Sequence, residues 1–245
     1  MMPRRLFPST LLASAAALAS TVLASNALAT ELTVYTAVES DDLQKYAERF
    51  NTAHPDIEIN WVRDSTGVIT ARLLAEKDNP QADVIWGLAA TSLLVLEEEG
   101  MLERYAPEGV DNLDPKFVDA AYRDGEDPAW VGMDAWVAAI CYNTIEGERQ
   151  GVPMPTSEGH VIMPNPNSSG TGYLDVASWL QLWDEEQGWD YMDRLHNNIS
   201  RYTHSGSAPC SLAATGETVV GVSFAFRGAR LKSQGAPIEV VFPEE

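Results

Sequence analysis

Four short segments of this chain gather hydroxyls and small residues where an apolar run gives way to an amphipathic one. They are Asp64-Ser65-Thr66-Gly67, Ala89-Ala90-Thr91-Ser92, Asn167-Ser168-Ser169-Gly170-Thr171-Gly172 and His204-Ser205-Gly206-Ser207. Each sits where a helix should begin. The first turn of a helix has unpaired backbone N–H groups and a partial positive charge, which suits an oxyanion. Glycine lets a ligand approach the backbone, and Ser or Thr adds a neutral donor. Taken singly, each segment is explained as well by helix capping. The run from Ser168 to Gly172 exceeds what a cap needs and reads as an anion site. Four such loops facing one cleft would form a trap for a tetrahedral oxyanion.

Two carboxylates fall beside the same strand ends, Glu39 after the first strand and Asp134 in a later extended stretch. Tyr35, Trp86, Trp130 and Trp136 lie close to the same expected strand ends. A carboxylate with an aromatic wall holds an ammonium by a charge-assisted hydrogen bond and a cation–π contact. A first-turn helix acid beside core aromatics is the plainer alternative, and the sequence does not choose between Glu39 and Asp134.

Other chemistries fit less well. The formal charge of −20 argues against nucleic acid, which requires a basic footprint. Two cysteines are too few for a structural zinc site, and the four histidines show no metal-binding spacing. No metal or other cofactor is expected. There is no G-x-S-x-G elbow, and the adjacent His204 and Ser205 lack an evident orienting acid, so an enzyme is not expected.

The elements that would position these loops alternate. Strands are expected at Leu32–Tyr35, Ile57–Trp61, Ala82–Trp86, His160–Met163, Ile199–Thr203, Val219–Phe226 and Ile238–Phe242. Helices are expected between them. One is capped by Ser40, one spans Val68–Lys77, one is stopped by Gly100, and one over Tyr173–Glu185 is separated from the next by Gly188. Asp111–Pro128 reads as a polar connection and Trp130–Asn143 as an extended crossing. Such alternation predicts an α/β chain of two lobes with mainly parallel sheets and a hinge. Ligands then bind beyond the carboxyl ends of the strands, in a cleft that can close.

Arg4 and Arg5, the uncharged stretch Leu6–Ser25 and the Ala27-Leu28-Ala29 pattern predict a signal peptide over 1–29. The mature protein is then expected in the periplasm, without membrane insertion. Oxidising conditions there predict a Cys141–Cys210 disulfide. The lobes are expected at 30–133 and at 134–245, the latter including the crossing.

With the loops in place, the chain resembles the periplasmic 2-aminoethylphosphonate-binding proteins of ABC importers, within the type II periplasmic binding protein fold. The resemblance rests on Leu32-Thr33-Val34-Tyr35-Thr36-Ala37, Trp61 to Gly67, Ala82 to Ser92, Met163-Pro164-Asn165-Pro166 running into Ser168–Gly172, and Tyr202 to Ser207. It implies a small phosphonate ligand, a partner permease and ATPase, and delivery by lobe closure. The residues it would bring to the cleft are Thr36, Ala37, Glu39, Ser65, Thr66, Gly67, Ala90, Thr91, Asp134, Ser168, Ser169, Gly170, Thr171, Ser205, Gly206 and Ser207. Ferric-binding proteins of the same fold resemble this chain less, because they present adjacent tyrosines where Ser223-Phe224-Ala225-Phe226-Arg227 stands here. The chain departs from the family at the Ser157–Glu158 junction, which lacks a short helical insert. It also stops at Glu245, where relatives continue, so a C-terminally truncated fold is expected.

Overall fold

The computed structural model describes residues 30–152 and 160–242. The expected signal peptide, the Ser157–Glu158 junction and the end at Glu245 lie outside the described residues.

The first lobe is a three-stranded parallel sheet in the order β2-β1-β3, with β1 Thr30–Thr36, β2 Ile57–Arg63 and β3 Val84–Trp86. β1 registers Thr36 against Arg63 on one side and against Trp86 on the other, so all three strands end together. Helices α1 Ser40–Ala53, α2 Thr66–Ala75 and α3 Ala90–Glu98 each follow one strand. α3 ends before Gly100, whose φ of +67° is strained for residues with a side chain. Tyr35, Ile69, Leu73, Leu88 and Leu96 form the core beneath α2 and α3. A polar stretch with three short 3-10 turns between Val110 and Asp124 links this lobe onward, as its weak periodicity predicts.

The second lobe is a five-stranded sheet in the order β6-β5-β7-β4-β8. Its strands are β4 Ala138–Asn143, β5 Val161–Pro164, β6 Ile199–Thr203, β7 Val220–Phe224 and β8 Ile238–Val241. β5 pairs in parallel with β6 and β7, whereas β4 runs antiparallel to β7 and β8. Entry through β4 brings Ala138 opposite Phe224, so the segment before β4 meets the edge where β5, β6 and β7 end. The helices are α4 Thr144–Gln150, α5 Gly170–Leu182, α6 Glu185–His196, α7 Ala208–Thr215 and α8 Ala225–Ser233. Cys141 of β4 and Cys210 of α7 are fully buried and joined as a disulfide, with Cα atoms 5.2 Å apart. They pack with Ala213 and Ile238, while Val152, Val161, Val219 and Val220 fill the other side.

The sheet pattern agrees with an α/β fold of mainly parallel strands, but several local expectations are corrected. Ser40 is the first helical residue of α1, and Glu39 is its N-cap. Gly188 does not separate two helices. It is buried inside α6, where a Cβ would crowd Leu180, and the break falls at Trp183-Asp184, where the Asp184 carboxylate accepts from Gln187 N. The extended crossing is a strand only from Ala138 onward, and α4 follows it directly, with Asn143 capping Glu146 N at 2.8 Å.

Candidate interlobe cleft

In both lobes the parallel strands end on the edge that faces the other lobe. Four hydroxyl-bearing loops therefore meet there. Gly67 N, in the first turn of α2, donates to Ser168 O across the lobes at 3.0 Å. His204 Nε2 lies 2.8 Å from Asp64 Oδ1, a second bridge 140 residues apart in sequence. A Cβ on Gly170 would lie 2.9 Å from Thr66 Oγ1 and 3.2 Å from Ala89 Cβ, so only glycine lets α5 approach α2 and α3 this closely. Within the second lobe, Ser168 Oγ donates to His204 O at 2.8 Å. A Cβ on Gly206 would sit 3.0 Å from Ser169 Oγ and would clash with Thr171 Oγ1.

Capping accounts for only part of this chemistry. Ser169 Oγ accepts from Gly172 N at 3.3 Å and is a true N-cap of α5. The N-cap residues Ser65, Ala89 and Ser207 make no side-chain cap bond, so α2, α3 and α7 open with first-turn N–H groups unserved by side chains. Among the described residues, the hydroxyls of Ser65, Thr66, Thr91 and Thr171 have no protein hydrogen-bond partner, and those of Ser65 and Thr171 keep some access although the two residues are largely buried. Loop 204–207 is held from below: Thr203 Oγ1 donates to Ser205 O at 2.9 Å and Ser223 Oγ to Gly206 O at 2.5 Å. Ser205 and Ser207 hydroxyls lie 3.4 Å apart. This is a rigid frame with donors to spare.

The remaining candidates sit differently. Thr36 is fully buried at the end of β1, its Oγ1 accepting from Val38 N at 3.1 Å, and Ala37 after it packs against the first-lobe core. Ala90 is exposed at the start of α3, next to Thr91. Glu39 is paired with Arg63 Nη2 at 3.4 Å, which already meets its charge. Asp134 is exposed and makes no hydrogen bond or ion pair among the described residues. The aromatic wall is not assembled. Tyr35 is core, its hydroxyl donating to Glu76 at 2.8 Å, and Trp86 packs between Tyr46 and Trp61. Trp130 Nε1 donates to Glu97 at 3.3 Å. Only Trp136, 6.1 Å from the Phe224 ring, reaches the interlobe edge of the second sheet. For Tyr35 and Trp86 strand alternation explains the miss: Tyr35 registers with Ile85 rather than Trp86, so the two rings point to opposite faces.

A second ionic contact between the lobes was not foreseen. Arg230 of α8 grips both Asp42 oxygens, at 2.9 and 3.0 Å, and also lies 3.0 Å from Asp41 Oδ2. Arg227, one turn earlier, stands 3.6 Å from Asp41. The Asp41 backbone N–H, with Arg230 and Arg227 beside it, holds that carboxyl below the usual range. The His204 hydrogen bond does the same to Asp64. The signal in the sequence was the i, i+3 spacing of Arg227 and Arg230 with an acidic pair opening α1. Nothing local links segments so far apart. Among the described residues, no group of three or more His, Cys, Asp and Glu side chains is disposed to hold a metal ion, and no helix is long and apolar enough to cross a membrane.

Residues 36–244 match the family model for bacterial extracellular solute-binding proteins. This chain belongs to that family. It is similar to the periplasmic binding protein AfuA from Actinobacillus pleuropneumoniae, solved with fructose-6-phosphate bound. The identity is 32%, over 87% of this chain and 69% of that one, with a TM-score of 0.77. An uncharacterised Haemophilus influenzae protein is 32% identical over 78% of this chain and 57% of its own length. A probable ABC transporter periplasmic-binding protein from Sinorhizobium fredii, y4fP, is 36% identical over 69% of this chain and 49% of its own. The chain thus spans about half the length of the curated relatives it matches.

Proposed function

We propose that this solute-binding protein serves an ABC importer, delivering a small organic phosphonate, 2-aminoethylphosphonate, to a permease and its ATPase from the periplasm. The observation that carries the reading is the meeting of four hydroxyl- and amide-rich helix starts across two lobes, pinned by Gly67 N to Ser168 O. Preorganised neutral donors in a closed cleft hold a tetrahedral oxyanion well, even in a protein of net charge −20. Ser65, Thr66, Thr91, Ser169, Thr171, Ser205 and Ser207 are the proposed hydroxyl donors, with those N–H groups opening α2, α3, α5 and α7 that are not already spent, as Gly67 N is on Ser168 O and Gly172 N on Ser169 Oγ. The aminoethyl part follows from the family resemblance, and Glu39 or Asp134 would have to turn toward it on binding.

A second reading is a phosphate monoester, favoured by the likeness to AfuA with its bound fructose-6-phosphate. It uses the same oxyanion frame with a different organic tail. Thermal melts with 2-aminoethylphosphonate, fructose-6-phosphate, inorganic phosphate, sulfate and ferric ion test both. A ligand at about 100 times its Kd stabilises by about 2.7 kcal/mol, several degrees for a chain of this size. The largest rise is expected with the aminated phosphonate. A rise with ferric ion alone would overturn both readings.

A further inference from the structure

We infer that Arg227 is the cation that sets the charge preference of this cleft, selecting doubly charged phosphonyl or phosphoryl groups over singly charged oxyanions. The inference rests on the proposed oxyanion site and adds a charged residue to a frame otherwise built from neutral donors.

Three features place it there. The first is location. Arg227 lies in the first turn of α8, after β7, the third parallel strand ending at the cleft edge. Its Nε and Nη2 reach Ser211 Oγ, which donates to Ser207 O at 3.1 Å, so the guanidinium stands one helical turn from loop 204–207. Its Nη1 faces Asp41 in the opposite lobe.

The second is unmet bonding capacity. A guanidinium carries five N–H donors in a fixed fork. Arg227 is only 19% exposed, yet its contacts are all long: 3.4 and 3.3 Å to one serine hydroxyl and 3.6 Å to one carboxylate oxygen. Arg230, equally shielded at 20%, makes three carboxylate contacts of 2.9–3.0 Å. Two arginines on one helix face thus differ in kind. Arg230 fastens the lobes, and Arg227 is held beside the cleft with donors unspent. A largely buried cation is costly unless paired, and a doubly charged oxyanion matches its fork bidentately.

The third is charge balance. Asp41 is shared between Arg230 and Arg227, and the shorter contact belongs to Arg230. That leaves Arg227 only partly neutralised, one helical turn from loop 204–207, and the four loops themselves carry no Lys or Arg.

The test is titration calorimetry on the full chain with methylphosphonate, above its second ionisation, and with its monomethyl ester, which carries one charge. Arg227→Gln should weaken methylphosphonate at least tenfold and the ester much less, collapsing the preference between them. Arg227→Lys should retain part of the preference, and serves if the glutamine variant does not fold. Asp41→Asn separates a ligand role from a clasp role. It frees Arg227 while leaving the Arg230–Asp42 pair, and should leave methylphosphonate affinity within about threefold of wild type or tighten it. Equal losses in Arg227→Gln and Asp41→Asn, or equal losses for the two ligands, would make Arg227 a clasp residue and overturn the inference. Wild-type protein that binds neither compound nor any oxyanion overturns the proposed function, and the inference with it.

Discussion

Asp175 is a buried acid with a measurable cost. It lies in α5, one turn beyond the Ser168–Gly172 loop, 4% exposed, and its Oδ2 has no hydrogen-bond partner. Burial pushes its pKa from the ordinary 3.8 up to about 7. Tyr191 of α6 feels its charge, and Arg194 lies near that tyrosine. The folded protein holds this proton more tightly than the unfolded chain, so stability is full below the unfolded value and falls as pH rises toward the folded one. A rise of that size corresponds to on the order of 4 kcal/mol, lost between about pH 4 and pH 7. Asp175→Asn removes the charge but leaves an amide to satisfy, at a cost of about 1–3 kcal/mol. The variant should therefore be more stable than wild type by about 1–3 kcal/mol at about pH 8, and equal or slightly less stable at about pH 5. At about 2–4 °C per kcal/mol, scanning calorimetry at the two pH values resolves this. The many other carboxylates act alike in both proteins, so the difference between variants isolates Asp175. Parallel pH profiles would refute the reasoning and require a partner for Oδ2.

Ser169→Ala and Thr171→Ala should each weaken ligand by about tenfold or more, since a donor to a charged ligand is worth roughly 1.5–3 kcal/mol. Unchanged titration curves in both variants would make that loop a helix cap only. Arg230→Ala removes the bidentate contact between the lobes and should enlarge the radius of gyration in solution scattering. Identical scattering profiles and ligand affinities would show that the pair does not hold the lobes together. Mass spectrometry of exported protein should find Cys141 and Cys210 in one intramolecular disulfide, and two free thiols would contradict the buried pairing.

The fold was legible where periodicity is strong. Ile57, Ile59 and Trp61 alternate with polar residues and form β2, and the apolar spacing of Leu43, Tyr46 and Phe50 marks α1. The four loops were legible because their composition is unusual at helix starts, and the structure brings them to one place. Helix ends were misread at Ser40 and Gly188 because capping and interruption depend on backbone angles and neighbours, which a local pattern does not carry. α4 is too short for its period to register. The aromatic wall failed because Tyr35 and Trp86 face into packing, and Glu39 found Arg63 from a different strand. Asp42 with Arg230, 188 residues apart, became visible only once both lobes were folded against each other.

Titration calorimetry of the chain with 2-aminoethylphosphonate, alongside ethylphosphonate, fructose-6-phosphate, sulfate and ferric ion, addresses the central claim most directly. The proposed cleft of hydroxyls, helix-start amides and the Arg227 guanidinium predicts a single site whose affinity for the phosphonates is at least tenfold above that for sulfate. It also predicts that the aminated ligand binds tightest. Heat of binding with ferric ion, and none with any phosphonate or phosphate ester, would contradict the account.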